Sequence, residues 1–368
     1  MIDTAHSART LAADLLQAAG LRRDRADITA ECIVQADLWG IASHGLLRLP
    51  FYLERMLAGG YPPNAELVPV RDTGPVIALD GGGGLGHWQL WHAAEIAAQR
   101  CAEVGIAAVS VGNSGHCGAL GIYTRPALDA GYLCLAFSNG PAVMPPWGGG
   151  TPLLSTSPIA AGVPSKPTPA IIDLATSAVA RGKIAAHAQN GEPLPDGWAL
   201  NAEGAPTTDP HEALRGMLAP LGGAKGFALA LLVEAFAGGA VGPHLSVDVP
   251  DMFDPTVAAK PQQIGHLIIT IDPACLDSTG GSAHDRIDRL ARLVGEHGGR
   301  VPGERRVPIR DLPPETPIEL APATIEQLTE WTRRLDITVA PTAGHPATHP
   351  DRRSPVDVVG EFLDSELT

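Results

Sequence analysis

Three short segments carry side chains whose chemistry belongs together. Ser43, His44 and Gly45 are followed by Arg48. An imidazole titrating near neutrality can exchange a proton with a substrate, and a guanidinium fork can hold a carboxylate through two hydrogen bonds. The four-residue spacing puts His44 and Arg48 on one face of a helix. A helix cap followed by a surface arginine reads equally well. The second segment is Gly112-Asn113-Ser114-Gly115-His116-Cys117-Gly118. It follows a β-branched run and precedes a helix expected from Ala119. Its small residues let a ligand approach the backbone, and N–H groups at a helix start favour an anion. An ordinary tight turn with a surface histidine is the plain alternative. A nucleophile elbow is excluded, because G-x-S-x-G needs glycine where His116 stands. The third segment, Gly222-Gly223-Ala224-Lys225-Gly226, opens an apolar helix and suits a diphosphate, unless Lys225 is simply a solvated charge. The spacing of a Walker loop is absent.

Two further stretches bear on a ligand. Gly81 to Gly86 satisfies G-x-G-x-x-G between an expected strand and helix, but the next strand ends at Gly112-Asn113 without the acidic residue that would hold a ribose. A strand-to-helix connection is the favoured reading over a dinucleotide turn. The loop from Asn139 to Pro158 is long and rich in proline and glycine, as binding loops are, and offers Thr156 and Ser157 at its far end.

The elements that must position these groups follow from periodicity. Three helices are expected from Ser7 to Gly59, with Ser43-His44-Gly45 at the second joint. Beyond Pro62-Pro63, strands at Pro75–Leu79, Gly105–Val111, Tyr132–Phe137 and Ala170–Asp173 alternate with helices at His87–Glu103, Ala119–Ala130 and Ser177–Gln189. That alternation implies an α/β domain. Helices at Lys225–Gly239, Ala283–Glu296 and Ile325–Leu335 and a strand at His266–Ile271 complete the pattern. The expected division is an N-terminal helical segment (1–62) packed with the C-terminal part, an α/β cofactor-binding domain (63–265), a C-terminal α/β segment completing the substrate domain (266–335) and a flexible extension (336–368).

Composition narrows the class. The 368 residues carry 26 Lys plus Arg against 40 Asp plus Glu, a net charge of −14, so nucleic acid and anionic membrane surfaces are poor partners. Five scattered cysteines without a Cys-x-x-Cys pair fit neither a disulfide framework nor a zinc knuckle, and no metal site is expected. The N-terminus lacks a basic patch followed by an apolar run, and the longest apolar stretch, Gly226 to Val241, is interrupted by Glu234 and falls short of a bilayer span. A cytoplasmic protein is expected.

Taken together, ASHGLLRLPFYLERM (42–56), VSVGNSGHCGALGIY (109–123), STSPIAAGVP (155–164), IIDLATSAVARGKI (171–184), GAPTTDP (204–210), LGGAKGFALALLVE (221–234) and VPGERR (301–306) resemble the malate/L-lactate dehydrogenase family of NAD(P)-dependent 2-hydroxyacid oxidoreductases, which includes ureidoglycolate, sulfolactate and ketimine-type enzymes. The resemblance implies a non-Rossmann α/β fold, a homodimer, and a small anionic 2-hydroxyacid or 2-oxoacid substrate. It implies catalytic roles for Ser43, His44 and His116, with His44 the first choice as proton carrier and His116 the second. Arg48 and Thr156 fall at substrate-binding positions. Cofactor contacts fall at His116, Cys117, Gly118, Ala119, Leu120, Asp173, Leu174, Ala175, Ala224, Lys225, Gly303, Glu304 and Arg305. The cofactor is NAD or NADP, with NAD slightly ahead.

Three positions depart from the family pattern. Lys183 stands where the ketimine-reducing branch has a carboxylate, Asn201 where an acidic residue is usual, and Gly140 where some members carry a side chain near the nicotinamide. The runner-up reading is a catalytically decayed member that binds cofactor without turnover. A Rossmann-type dehydrogenase built on Gly81 to Gly86 would lose cofactor on Gly83→Val; a hydrolase using Ser114 and His116 ranks below both.

Overall fold

The computed structural model describes residues 2–251 and 254–337. Helix α1 (Ala5–Ala18) starts at a reciprocal cap, in which Ser7 N–H donates to the Thr4 hydroxyl and Thr4 N–H to the Ser7 hydroxyl. With α2 (Arg23–Leu38) and α3 (Leu49–Ala58), which Gly59 ends in a left-handed conformation, it buries Leu15, Leu16, Ile33, Leu49 and Leu53. Leu328 and Trp331 of α10 (Pro322–Arg334) close the same core, so the two ends of the described chain pack together.

Between α2 and α3 the backbone forms two 3₁₀ turns, Ala42–His44 and Leu46–Arg48, separated by Gly45 at φ −88°, ψ −150°. His44 and Arg48 therefore do not share the face of one helix. The helix is broken there because Leu46 N–H donates to the Asp37 carboxylate of α2 at 2.7 Å, not to the carbonyl four residues back.

The main sheet has seven strands: β1 (Val68–Asp72), β2 (Val76–Asp80), β3 (Ile106–Ser114), β4 (Leu133–Ser138), β5 (Ile159–Val163), β6 (Ala170–Leu174) and β10 (Ile264–Ile271), the last taking its number from the short strands named below. Their order is β1-β2-β3-β10-β4-β5-β6. Only β2 and β3 run parallel; every other neighbouring pair in this sheet is antiparallel. The architecture is α/β but not doubly wound, as the non-Rossmann expectation requires. The expected boundary between 265 and 266 falls inside β10, which lies in mid-sheet. Helix α4 (Gly86–Val104) covers one face, burying Leu90, Ala94 and Ala97 against Ile77, Leu79, Val109, Val111 and Ile268.

The connection from β2 to α4 settles the glycine run. Gly81 N–H donates to the Gly112 carbonyl, Gly83 N–H to Asn113, Gly84 N–H to Gly81, and Gly82 N–H to the Asp80 carboxylate. A Cβ on Gly86 would fall 2.1 Å from the Gly115 carbonyl oxygen. The N–H groups of Gly81 to Gly84 are spent internally, so no phosphate cradle remains there.

After β3 the chain forms a 3₁₀ segment, Leu120–Thr124, and a short α5 (Arg125–Asp129) in place of the single helix expected from Ala119 to Ala130. The cause is Gly121 N–H, which donates to Asp173 of β6 at 2.8 Å. A second layer holds α6 (Arg181–Asn190), β7 (Ala199–Leu200), β8 (Pro206–Thr207), α7 (Pro210–Arg215) and β9 (Met217–Leu218) around Met144, Leu154, Ile184 and Leu218. Helix α8 (Ala224–Val233) continues as a π-helical segment, Glu234–Val241. Contrary to the expectation, these 18 residues are long and apolar enough to cross a bilayer by length and composition. Buried Glu234 is satisfied by Ser246, whose backbone N–H donates to it at 2.6 Å and whose hydroxyl donates at 2.5 Å. Helix α9 (Ala283–Glu296) lies at the surface. Of the expected extension, only Asp336 and Ile337 lie within the described residues.

Candidate active site

The joint between α2 and α3 and the turn after β3 meet. The rings of His44 and His116 stack with centroids 5.7 Å apart and planes inclined by 20°. Ser43 Oγ is 2.9 Å from His44 Nδ1, and Arg48 Nε donates to the Ser43 carbonyl at 2.8 Å. One compact loop thus presents hydroxyl, imidazole and guanidinium to the second imidazole. Ser43, His44, Arg48 and His116 are half-buried.

His116 is held from several sides. Its Nδ1 takes the Tyr52 hydroxyl at 2.8 Å and the Gly118 N–H at 3.3 Å. Its own N–H donates to Gln262 Oε1, which also accepts the Tyr61 hydroxyl. Behind the turn, His266 of β10 bridges Gly115 and β4: its Nε2 is 3.0 Å from the Gly115 carbonyl and its Nδ1 is 2.9 Å from the Ser138 hydroxyl. Gly118 has φ +71°, and a Cβ there would lie 2.8 Å from His87 Nε2, so glycine is required by both conformation and space. His87, from the start of α4, sits edge-on to Tyr52 at 4.9 Å.

Electrostatics keep these rings neutral. Burial, assisted by the Arg48 charge, lowers His44 to about 4. Burial and the neighbouring His44, His87 and Arg48 hold His116 well below its ordinary value. Burial lowers His87 to about 3 and His266 to about 4. A neutral imidazole is a competent proton acceptor, and the adjacent guanidinium supplies the local positive charge that an anionic ligand needs on an acidic protein.

The remaining candidate residues form a second group, joined to the first through 116–121. Asp173 accepts from Gly121, and Gly303, at φ +72°, lies against the Ile171 carbonyl, to which Arg306 also donates. Burial raises Asp173, opposed first by the Gly121 hydrogen bond and then by Arg306. Cys117 and Ala119 are buried, Leu120 opens the 3₁₀ segment, and Leu174 and Ala175 follow Asp173. Glu304 and Arg305 continue the Gly303 turn. The Thr156 carbonyl accepts from Thr176, whose own carbonyl accepts from Leu221, three residues before Ala224. This ladder connects Thr156 to the start of α8. No bond or ring contact among the described residues joins Lys225 itself to the imidazoles.

A nicotinamide dinucleotide fits these elements. Gly223 caps α8 without a side-chain hydrogen bond, leaving its first N–H groups beside exposed Lys225 for a diphosphate. Tyr52, His87, Gln262 and His266 escaped sequence reasoning. Tyr52 lies four residues beyond Arg48 on what reads as an apolar stripe, where its hydroxyl was the available signal; the other three carry none.

Comparisons with known proteins agree with this geometry. Residues 4–329 match the family profile described as malate/L-lactate dehydrogenase. The chain is 40% identical over 323 residues to (2R)-3-sulfolactate dehydrogenase (NADP(+)) of Chromohalobacter salexigens, covering 87% of this chain and 95% of the relative. It is 36% identical over 304 residues to a Δ(1)-pyrroline-2-carboxylate reductase of Ancylobacter novellus, covering 82% and 89%. Among solved structures, sulfolactate dehydrogenase from Methanocaldococcus jannaschii superimposes with a TM-score of 0.81 at 29% identity over 92% of this chain and 98% of the other.

Proposed function

The chain belongs to the malate/L-lactate dehydrogenase family, and from that premise we propose how its site works, which acid it takes and which cofactor it uses. It is an oxidoreductase that transfers a hydride between NAD(P) and a small 2-hydroxycarboxylate. The decayed-member reading gains no support: the curated relatives named above are enzymes, and serine, imidazoles and guanidinium stand together in this chain.

Arg48 takes the substrate carboxylate, which sets the hydroxyl against the imidazoles. The bonds on each Nδ1 support one assignment of the proton carrier. Gly118 N–H can only donate, so His116 Nδ1 is an acceptor, the Tyr52 hydroxyl donates to it as well, and the neutral ring bears its hydrogen on Nε2. In that state His116 is a donor toward the substrate oxygen and has no free lone pair. The Ser43 hydroxyl can either donate or accept. When His44 Nδ1–H donates to it, His44 Nε2 keeps a lone pair and takes the hydroxyl proton. Bound nicotinamide supplies the acceptor and donor of the hydride. The substrate carboxylate offsets the Arg48 charge that depresses His44, so the imidazolium formed on oxidation is better tolerated in the complex. The paired donors on His116 Nδ1 are the observation that carries this division of labour.

The relatives support a substrate with a second anionic group, a sulfolactate or malate. They support NADP at least as well as NAD, since the 40% identical relative is named for NADP(+); the expectation of NAD ahead of NADP finds no support. The protein acts as a homodimer through the exposed stripe of Leu229, Leu231, Leu232 and Phe236 on α8 and its continuation, which one chain leaves uncovered. That same stripe is why the helix passes for a membrane span. Five unpaired thiols favour a cytoplasmic setting. The test is reduced-nicotinamide absorbance with NADP and NAD against both sulfolactate enantiomers, malate, lactate and ureidoglycolate, and in reverse against cyclic imine acids. Turnover is expected first on sulfolactate or malate with NADP; turnover on imine acids alone would overturn the reading.

A further inference from the structure

Asp37, near the end of α2, touches no candidate ligand group, yet it determines the shape of the loop that carries three of them. One carboxylate oxygen accepts Leu46 N–H at 2.7 Å. The carboxylate also lies flat against Gly45: a Cβ there would fall 2.0 Å from Oδ1, 2.2 Å from Cγ and 2.4 Å from Oδ2. Gly45 separates the turn bearing Ser43 and His44 from the turn ending in Arg48. The Asp37 side chain therefore fills the break between these turns and captures the N–H that a continuous helix would have used.

We propose that Asp37 is a positioning residue of the reaction, whose carboxylate fixes the relative placement of His44 and Arg48 by clamping Gly45 and Leu46. The proposal rests on the reading of His44 as proton carrier and Arg48 as carboxylate clamp. A proton carrier and a clamp on one loop are useful only if their separation is constant, and a misplacement of about 1 Å can cost on the order of 10²-fold in rate. The loop's own bonds do not guarantee it. Within the loop Arg48 Nε reaches the Ser43 carbonyl and Arg48 N–H the Gly45 carbonyl, and Ile41 N–H ties the start of the loop to Ala36; Asp37 adds the tie from α2 to the far side of the glycine.

Asp37 also gives the clamp a pH dependence. Burial raises its carboxyl to about 7, and the Leu46 N–H opposes that shift; from the loop only Gly45 and Leu46 face it, and neither a cation nor a second carboxyl contributes to its protonation. The charged carboxylate is the stronger acceptor. The clamp is therefore tight above about pH 7 and loosens as the pH falls through it.

The experiment compares wild type with Asp37→Ala and Asp37→Asn, reading kcat across pH 5.5 to 9, cofactor affinity by fluorescence and hydrogen exchange at the Leu46 amide. Asp37→Ala is expected to lower kcat by about 30- to 100-fold, with cofactor affinity within about twofold and Leu46 exchange at least about tenfold faster. Asp37→Asn keeps an uncharged acceptor, so it should recover most of the loss while abolishing the wild-type decline below about pH 7. Gly45→Ala, which collides with the carboxylate, should mimic Asp37→Ala. Faster Leu46 exchange with unchanged kcat in Asp37→Ala, or an unaltered acid limb in Asp37→Asn, overturns the proposal. Wild type inactive on every 2-hydroxyacid overturns the functional reading instead; in that case unaltered Leu46 exchange in Asp37→Ala would still refute the clamp.

Discussion

Tyr52 of α3 and His116 of the turn after β3 are 64 residues apart in sequence, and their side chains are joined by a 2.8 Å hydrogen bond. With Gly118 N–H on the same nitrogen, it makes His116 Nδ1 an acceptor, which supports the proposal that His44 is the base. Removing the hydroxyl alone tests this. Tyr52→Phe keeps the ring against His87 and frees part of Nδ1, so kcat should fall by about 10-fold, the worth of one hydrogen bond of about 1.4 kcal/mol, with little change in cofactor affinity. Steady-state kinetics on the best substrate would read it; an unchanged kcat would remove Tyr52 from the site.

The neutral rings couple stability to pH. His266 is wholly buried and lowered to about 4, and His87 is buried and lowered to about 3. A histidine whose folded value lies below its unfolded value stabilises the fold above about pH 6.5, and that contribution is lost as the pH falls toward the folded value. Stability should therefore be greatest above pH 6.5 and decline down to about pH 4, with His266 alone accounting for something on the order of 3 kcal/mol. Chemical denaturation at pH 7.5, 6.0 and 5.0 would measure the decline, and His266→Gln should flatten it.

Gly83→Val separates a structural glycine from a cofactor-binding one. Gly83 has φ +74°, and its nearest neighbours are Pro261 and Pro62, each beyond 3.5 Å. The strain is conformational, so thermal stability should drop by about 1–3 kcal/mol while cofactor affinity stays within about twofold. Selective loss of cofactor affinity in a fully stable variant would revive the Rossmann-type reading.

Much of the framework was legible in the sequence because its signals are local. Apolar spacing located α4 and α9 closely, and β-branched runs located β3 and β4. The joint at Ser43-His44-Gly45 was legible, but its form as two turns split at Gly45 was not, because that depends on Asp37 reaching across eight residues to an amide with no pattern of its own. The stretch after Ala119 reads as a helix by composition, but Asp173, more than fifty residues away, takes the Gly121 N–H. The imidazoles of His44 and His116 could be named from residue type and family resemblance, whereas their stacking, and the roles of Tyr52 and Gln262, arise from tertiary contacts alone.

The apolar stripe on α8 predicts an assembly. Leu232→Glu combined with Phe236→Glu places two charges on exposed positions of the stripe and should convert a dimer into monomers. Sedimentation at micromolar concentration would read the change; a dimeric variant would place the contact elsewhere, and a monomeric wild type would refute the assembly.

In the proposed mechanism His44 moves the proton while His116 orients the substrate oxygen. This division is tested most directly by the turnover of His44→Gln and His116→Gln at saturating 2-hydroxyacid and cofactor, with cofactor affinity measured in parallel. A loss of about 10²- to 10⁴-fold is expected for His44→Gln and a smaller loss, about tenfold, for His116→Gln, whose amide still offers a donor. Near-normal turnover in His44→Gln with collapse in His116→Gln would contradict the mechanism.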